Sequence, residues 1–170
     1  EIEAKDIPSF PYALVNAHRY ENLHTPSRWE KITKILLKAS KNIRLMIVLH
    51  PGTEQKLLSD PKLLGELEAN GTVLLERRPF SQFIHLVARA SFLLSDGGSN
   101  QQESSYLGVP CLLLRDRTES EEGMKSNCIL SRFDEDVVAR FLEEPDRHRF
   151  PVNTGGDSPT QRVMTALEES

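Results

Sequence analysis

Short apolar runs alternate with stretches of helical period along most of this chain, and that alternation limits what it can fold into more than any other feature. Tyr12 to Ala17, Arg44 to Leu49, Thr72 to Glu76, Phe92 to Ser95, Cys111 to Leu114 and Cys128 to Leu130 have the length and character of strands. Most are apolar throughout instead of alternating, as strands are when helices cover both faces of a parallel sheet. The pattern predicts an α/β fold: a doubly wound parallel sheet of about six strands with helices on both faces.

The stretches between the runs carry helix signals. Trp29, Ile32, Ile35, Leu36 and Ala39 form one apolar stripe after a Pro26-Ser27 start. A leucine-rich region over Thr53 to Ala69 is broken at Asp60-Pro61 and ended by Asn70-Gly71. Ser81 is placed to cap a helix burying Phe83, Leu86, Val87 and Ala90, and Asp134 to Glu144 reads as another. A Gly155-Gly156-Asp157 turn leads, through Ser158 and Pro159, to a terminal helix. Residues 1–11, with Pro8 and Pro11, read as a linker from an upstream domain, and residues 12–170 as one domain that includes the terminal helix.

Composition narrows the function. The 170 residues carry a net charge of -4, which argues against a non-specific nucleic-acid binder, so any anion site is local. Cys111 and Cys128 both sit in apolar runs and read as reduced core thiols. No run approaches the ~20 apolar residues that span a bilayer. The expectation is a cytoplasmic protein with no membrane partner. No cysteine and histidine spacing suggests zinc and no Gly-x-x-x-x-Gly-Lys loop suggests ATP hydrolysis, so no cofactor or metal is expected.

In open parallel sheets, ligands bind beyond the carboxyl ends of the strands where the strand order reverses. Polar clusters stand at those ends: His18 to Asn22, His50-Pro51-Gly52, Arg77 to Phe80, Asp96 to Ser99 and Arg115 to Glu122. The most specific is Ser95-Asp96-Gly97-Gly98-Ser99, an apolar strand passing through glycines into a helix. Gly97 and Gly98 can take positive φ and admit a ligand to bare backbone, and a helix N-terminus favours an anion. Ser99 and Gln102 have capping-box spacing, which starts the helix at Ser99. Glu103 lies one turn on and leans back toward that N-terminus, where a carboxylate suits a ribose diol. A plain strand-to-helix turn with a surface glutamate produces the same local pattern, so the flanking sequence decides.

Val15-Asn-Ala-His18-Arg19-Tyr-Glu-Asn, Asp96-Gly97-Gly98-Ser99-Asn-Gln-Gln-Glu103 with Leu107-Gly108-Val-Pro110, and Leu114-Arg115-Asp116-Arg-Thr118-Glu119 occur in order. Together they resemble the carboxyl-terminal domain of the UDP-N-acetylglucosamine 2-epimerase family. The resemblance implies one Rossmann-like half of a glycosyltransferase-B-type two-domain fold with the sugar nucleotide between the halves. It implies that Glu103 holds the ribose hydroxyls, Phe83 stacks on uracil and Gly97, Gly98 and Ser99 wrap the diphosphate. His18 and Arg19 stand at the family's His-Arg motif as the catalytic pair, and Asp96, Arg115 and Glu119 fall among the substrate-binding residues. The chain departs from the family in two places: relatives commonly read Asp-Ser-Gly-Gly at 96–99, and Arg-Pro at positions 120 and 121, where this chain has Ser120 and Glu121.

The reaction so implied removes a proton at C2 and expels UDP to give a glycal, then adds UDP back from the other face. A hydrolysing branch releases free N-acetylmannosamine. The acid and base carboxylates come mostly from the other domain, so the domain alone is expected to bind a UDP-sugar without turning it over, and the full-length protein to be a homodimer. Two alternatives stay open on sequence alone: the donor-nucleotide half of a glycosyltransferase of the same architecture, and a non-catalytic nucleotide-sugar-binding relative.

Overall fold

A computed structural model describes residues 8–124 and 126–152. The first seven residues of the expected linker, the Gly155-Gly156-Asp157 turn and the expected terminal helix lie outside the described residues.

The chain runs through β1 (Tyr12–Asn16), α1 (Tyr20–His24), α2 (Pro26–Ser40), β2 (Arg44–Val48), α3 (Pro51–Leu58), α4 (Pro61–Ala69), β3 (Val73–Leu75), α5 (Phe80–Arg89), β4 (Phe92–Ser95), α6 (Gly98–Leu107), β5 (Cys111–Leu113), β6 (Cys128–Leu130) and α7 (Glu135–Glu143). The strands form one six-stranded sheet in the order β3-β2-β1-β4-β5-β6. Every neighbouring pair is parallel. This is the doubly wound order in which the chain leaves β1 toward one edge, returns, and builds toward the other from β4. The break between β1 and β4 is the switch point.

Apolar residues on both faces of each central strand feed two cores. Ala13, Val15 and Ala17 enter one, with Ile32, Ile35, Leu36 and Ala39 of α2, Leu63 and Leu67 of α4, and Val138, Phe141 and Leu142 of α7. Tyr12 and Leu14 enter the other, against Phe83, Leu86 and Val87 of α5. Each fully buried aliphatic side chain contributes ~1.5–3 kcal/mol, which is why these strands carry no polar face. The Tyr12 hydroxyl donates to the Leu86 carbonyl at 2.7 Å, and burial pushes its pKa up to about 12. Cys111 and Cys128 are buried free thiols in register on β5 and β6.

The break between α3 and α4 falls at Asp60-Pro61, where the Asp60 carboxylate accepts from the Leu63 amide at 3.0 Å. Asp134 caps α7 through the amides of Asp136 and Val137. Two expected caps are not made. Ser81 lies inside α5, which starts at Phe80 behind Pro79. The Ser99–Gln102 box does not form either, because α6 starts at Gly98 with Gly97 as its N-cap. The Ser95 hydroxyl accepts the Gly97 amide at 3.0 Å and brings the chain into the helix before Ser99.

Candidate functional site

β1 and β4 end side by side, with Asn16 opposite Ser95. The next residue, Asp96, is fully buried. Its carboxylate accepts the amides of His18 at 3.0 and 3.1 Å and of Arg19 at 2.9 Å, and the side-chain amide of Asn22 at 2.9 Å. Asn22 also donates to the Leu114 carbonyl at 2.9 Å. Its oxygens tie the loop after β1 to the ends of β4 and β5. The consequence is positional, since His18 and Arg19 are held at the switch point by their own backbone.

The glycine turn works differently from the expectation. Neither Gly97 nor Gly98 has a positive φ, and the Gly97 amide is spent on Ser95. Gly97 is required for space: a Cβ there would lie 2.8 Å from Asn100 Oδ1 and 3.5 Å from a His18 ring carbon. The amides of Gly98, Ser99 and Asn100 have no protein acceptor among the described residues. They form the positive end of α6, where the helix dipole and unsatisfied donors favour an anion. Gly98 is half-buried and Ser99 exposed, so this end opens to solvent.

Glu103, one turn on, is half-buried. Asn100 Nδ2 donates to its Oε2 at 2.8 Å. Among the described residues no protein group donates to Oε1.

Arg19, Arg115 and Glu119 come together in a cavity of about 360 Å³, with Glu21, Arg28, Asp116 and Arg117 completing its lining. Arg28 is paired with Asp116, and Arg19 with Glu21 at 3.2 Å. Arg115 is 7% exposed, and among the described residues its guanidinium has no hydrogen-bond or ion-pair partner. Burial, then the charge of Arg19, lowers its pKa, yet an arginine remains charged. Glu21, Asp96 and Glu119 lie close enough to oppose that shift, so the charge is partly balanced while the guanidinium donors stay open to an acceptor.

The acidic segment after β5 is held in place by Gln101, which is fully buried at the start of α6. Its Nε2 donates to the carbonyls of Ser120 at 3.0 Å and Glu122 at 2.8 Å, and its Oε1 accepts from Thr118 Oγ1 at 2.7 Å. Glu121 and Glu122 are exposed.

His18 stacks on His50 with ring centroids 4.2 Å apart. Burial, then the neighbouring His18 and Arg77, lowers the His50 pKa to about 4, so this imidazole is neutral near pH 7. Phe83 is 9% exposed and packs with Leu86 and Val87. The helical spacing that put Phe83 one turn into α5 also put it on the apolar face. The aromatic that α5 leaves exposed is Phe80.

Sequence reasoning missed Asn16, Asn100 and Gln101 as parts of this edge, and placed Asn22 and His50 at strand ends without a role. Their signal was available only in part: Asn16 is a polar residue closing an apolar strand, and Asn22 lies in the polar run after it.

A doubly wound parallel sheet whose switch point carries bare helix amides, an arginine-lined pocket and a carboxylate defines the class first, that of Rossmann-like α/β domains. The chain belongs to the UDP-N-acetylglucosamine 2-epimerase family, whose model matches residues 1–149. It is 30% identical over 161 residues to a UDP-N-acetylglucosamine 2-epimerase of Methanococcus maripaludis, covering 92% of this chain and 44% of the relative. A second such epimerase, from Bacillus subtilis, is 28% identical over 141 residues, 80% of this chain and 37% of that protein. The solved UDP-GlcNAc 2-epimerase of Methanocaldococcus jannaschii superposes with a TM-score of 0.78 at 24% identity, covering 94% of this chain and 46% of that one. The same protein has been solved in complex with UDP-GlcNAc and UDP. The chain thus spans less than half the length of these relatives, and it matches their carboxyl-terminal part.

Proposed function

We propose that this chain is the UDP-binding carboxyl-terminal half of a UDP-N-acetylglucosamine 2-epimerase, one half of a glycosyltransferase-B-type pair of domains. The observation that carries the proposal is the conjunction at one sheet edge of three things. These are the unoccupied amides of Gly98 and Ser99, the Glu103 carboxylate one turn behind them, and the unpartnered Arg115 guanidinium in the neighbouring pocket. In this reading the diphosphate caps α6 and meets Arg115, while Glu103 Oε1 accepts a ribose hydroxyl. These contacts favour the leaving diphosphate as its bond to C1 breaks and so lower the barrier to elimination. His18 and Arg19, held by Asp96, face the sugar end of the cleft. The proton at C2 is taken by a carboxylate of the other half.

The same reading makes the full-length protein a cytoplasmic homodimer. No helix among the described residues is long and apolar enough to cross a membrane. The activity is tested by incubating UDP-N-acetylglucosamine in deuterated water with the polypeptide that joins this chain to an amino-terminal half. Exchange at C2 with appearance of the manno epimer supports the proposal; transfer of the sugar to an acceptor with C2 untouched overturns it.

A further inference from the structure

A continuous line of side-chain hydrogen bonds, buried at its centre, runs beneath the glycine turn. His50 Nε2 lies 2.8 Å from Asn16 Oδ1, Asn16 Nδ2 donates to Asn100 Oδ1 at 2.7 Å, and Asn100 Nδ2 donates to Glu103 Oε2 at 2.8 Å. Asn16 is 6% exposed and Asn100 4%. The line joins the end of β2 to α6 through the end of β1, across the switch point.

Its direction is set from one end. An ionised carboxylate only accepts, so Asn100 must turn its NH2 toward Glu103 and its Oδ1 inward. That oxygen receives Asn16 Nδ2 and lies 2.9 Å from Ser95 Oγ. Asn16 is then fixed with its own Oδ1 toward His50, and a neutral imidazole facing that oxygen must carry its proton on Nε2. Gly97 leaves the room: any Cβ there would press on Asn100 Oδ1 at 2.8 Å.

We propose that Asn100 is the positioning residue for Glu103, and that the Asn16–Asn100 pair transmits the orientation of that carboxylate to His50, holding it as the Nε2–H tautomer. With Oε2 engaged by Asn100, Glu103 presents Oε1 in one plane instead of sampling several rotamers, and a diol meets a carboxylate already aimed. The His50 ring that stacks on His18 keeps its Nδ1 as a lone pair. The ligand half of this inference rests on the proposed UDP site; the tautomer half does not.

Two measurements on the 170-residue chain test it. In calorimetry with UDP, wild type is compared with Glu103→Ala, with Gly97→Ala, and with the double variant Asn16→Val/Asn100→Leu, which removes both buried amides together and leaves only the half-buried His50 Nε2–H without its acceptor. The double variant is expected to weaken UDP binding about tenfold with its circular dichroism unchanged, and Gly97→Ala to weaken it in the same direction. Nitrogen-15 NMR of labelled histidines is expected to show His50 protonated at Nε2 in wild type and as a mixture of tautomers in the double variant. Unchanged affinity in the double variant, where Glu103→Ala weakens binding, overturns the positioning role. A His50 proton on Nδ1 in wild type overturns the relay. If wild type binds no UDP, the functional proposal fails, and the wild-type tautomer still decides the relay. If the double variant does not fold, Gly97→Ala and the wild-type spectrum decide it.

Discussion

The side-chain amide of Asn22 donates to the carboxylate of Asp96 at 2.9 Å, joining residues 74 apart in the sequence. With the amides of His18 and Arg19 on the same carboxylate, this contact makes the entry of α1 and the exit of β4 a single unit. Asp96→Ala leaves these donors facing a buried gap, and a stranded buried donor costs ~1–3 kcal/mol. The variant is expected to lose about 3 kcal/mol of stability, a fall of roughly 6–12 °C in melting temperature for a domain of this size. Calorimetric melting checks it. A loss confined to ligand affinity would mean that Asp96 acts on substrate after all.

That residue also shows what the sequence could and could not convey. The sheet was legible because its strands are buried on both faces, and an apolar run states that directly. The six expected strands match the observed ones to within one or two residues at their ends. The site was legible as a set of strand-end clusters, and Arg19, Arg115 and Glu119 do share a cavity. The sequence does not say which side chains in such a cluster turn inward. Asp96 looks like a ligand-facing acid beside glycines, yet three donors from a loop 74 to 78 residues away pull it under the surface. Gly97 looks like a positive-φ turn that bares backbone to a ligand and instead leaves a vacancy for Asn100. That vacancy gives a physical reason for the glycine where relatives commonly carry serine.

The neutral His50 imidazole makes stability depend on pH. Its pKa lies near 4 in the folded chain against 6.5 for an ordinary histidine, chiefly because it is buried and then because His18 and Arg77 stand near it, with Asp96 opposing. Between those values the unfolded chain binds a proton that the folded chain refuses, so stability falls as pH drops from about 6.5 toward 4 and is fully present above that range. His50→Gln removes this share of the slope. Denaturant midpoints at pH 7.5 and 4.5 should differ less in the variant than in wild type; an equal difference contradicts the shift.

Gln101 is expected to control the mobility of the acidic segment. Gln101→Leu removes the hydrogen bonds to Thr118, Ser120 and Glu122 while keeping a buried side chain of similar size. Amide exchange over residues 118–122 should rise about tenfold or more, with α5 and β1 unchanged. Protection unchanged at those residues would show that the clamp holds nothing.

Gly108 ends α6 at a φ of 65°, and a Cβ there would meet the Phe150 carbonyl oxygen at 1.9 Å. The left-handed conformation alone costs a non-glycine residue ~1–2 kcal/mol. The backbone clash adds to it, because the Phe150 amide donates to the Gly108 carbonyl at 3.0 Å and cannot stay. Gly108→Ala should destabilise the domain by more than 2 kcal/mol in urea unfolding, whereas Gly65→Ala, which meets no atom within 4 Å inside α4, should be neutral or stabilising.

A nucleoside diphosphate is proposed to dock on the free amides of α6 with Glu103 on its ribose. Isothermal titration of the 170-residue chain with UDP, beside Glu103→Ala and Arg115→Ala, tests it most directly. Wild type is expected to show a single site, weakened at least tenfold by either substitution without loss of the folded state. No heat at millimolar UDP, or equal affinity in all three proteins, would contradict it.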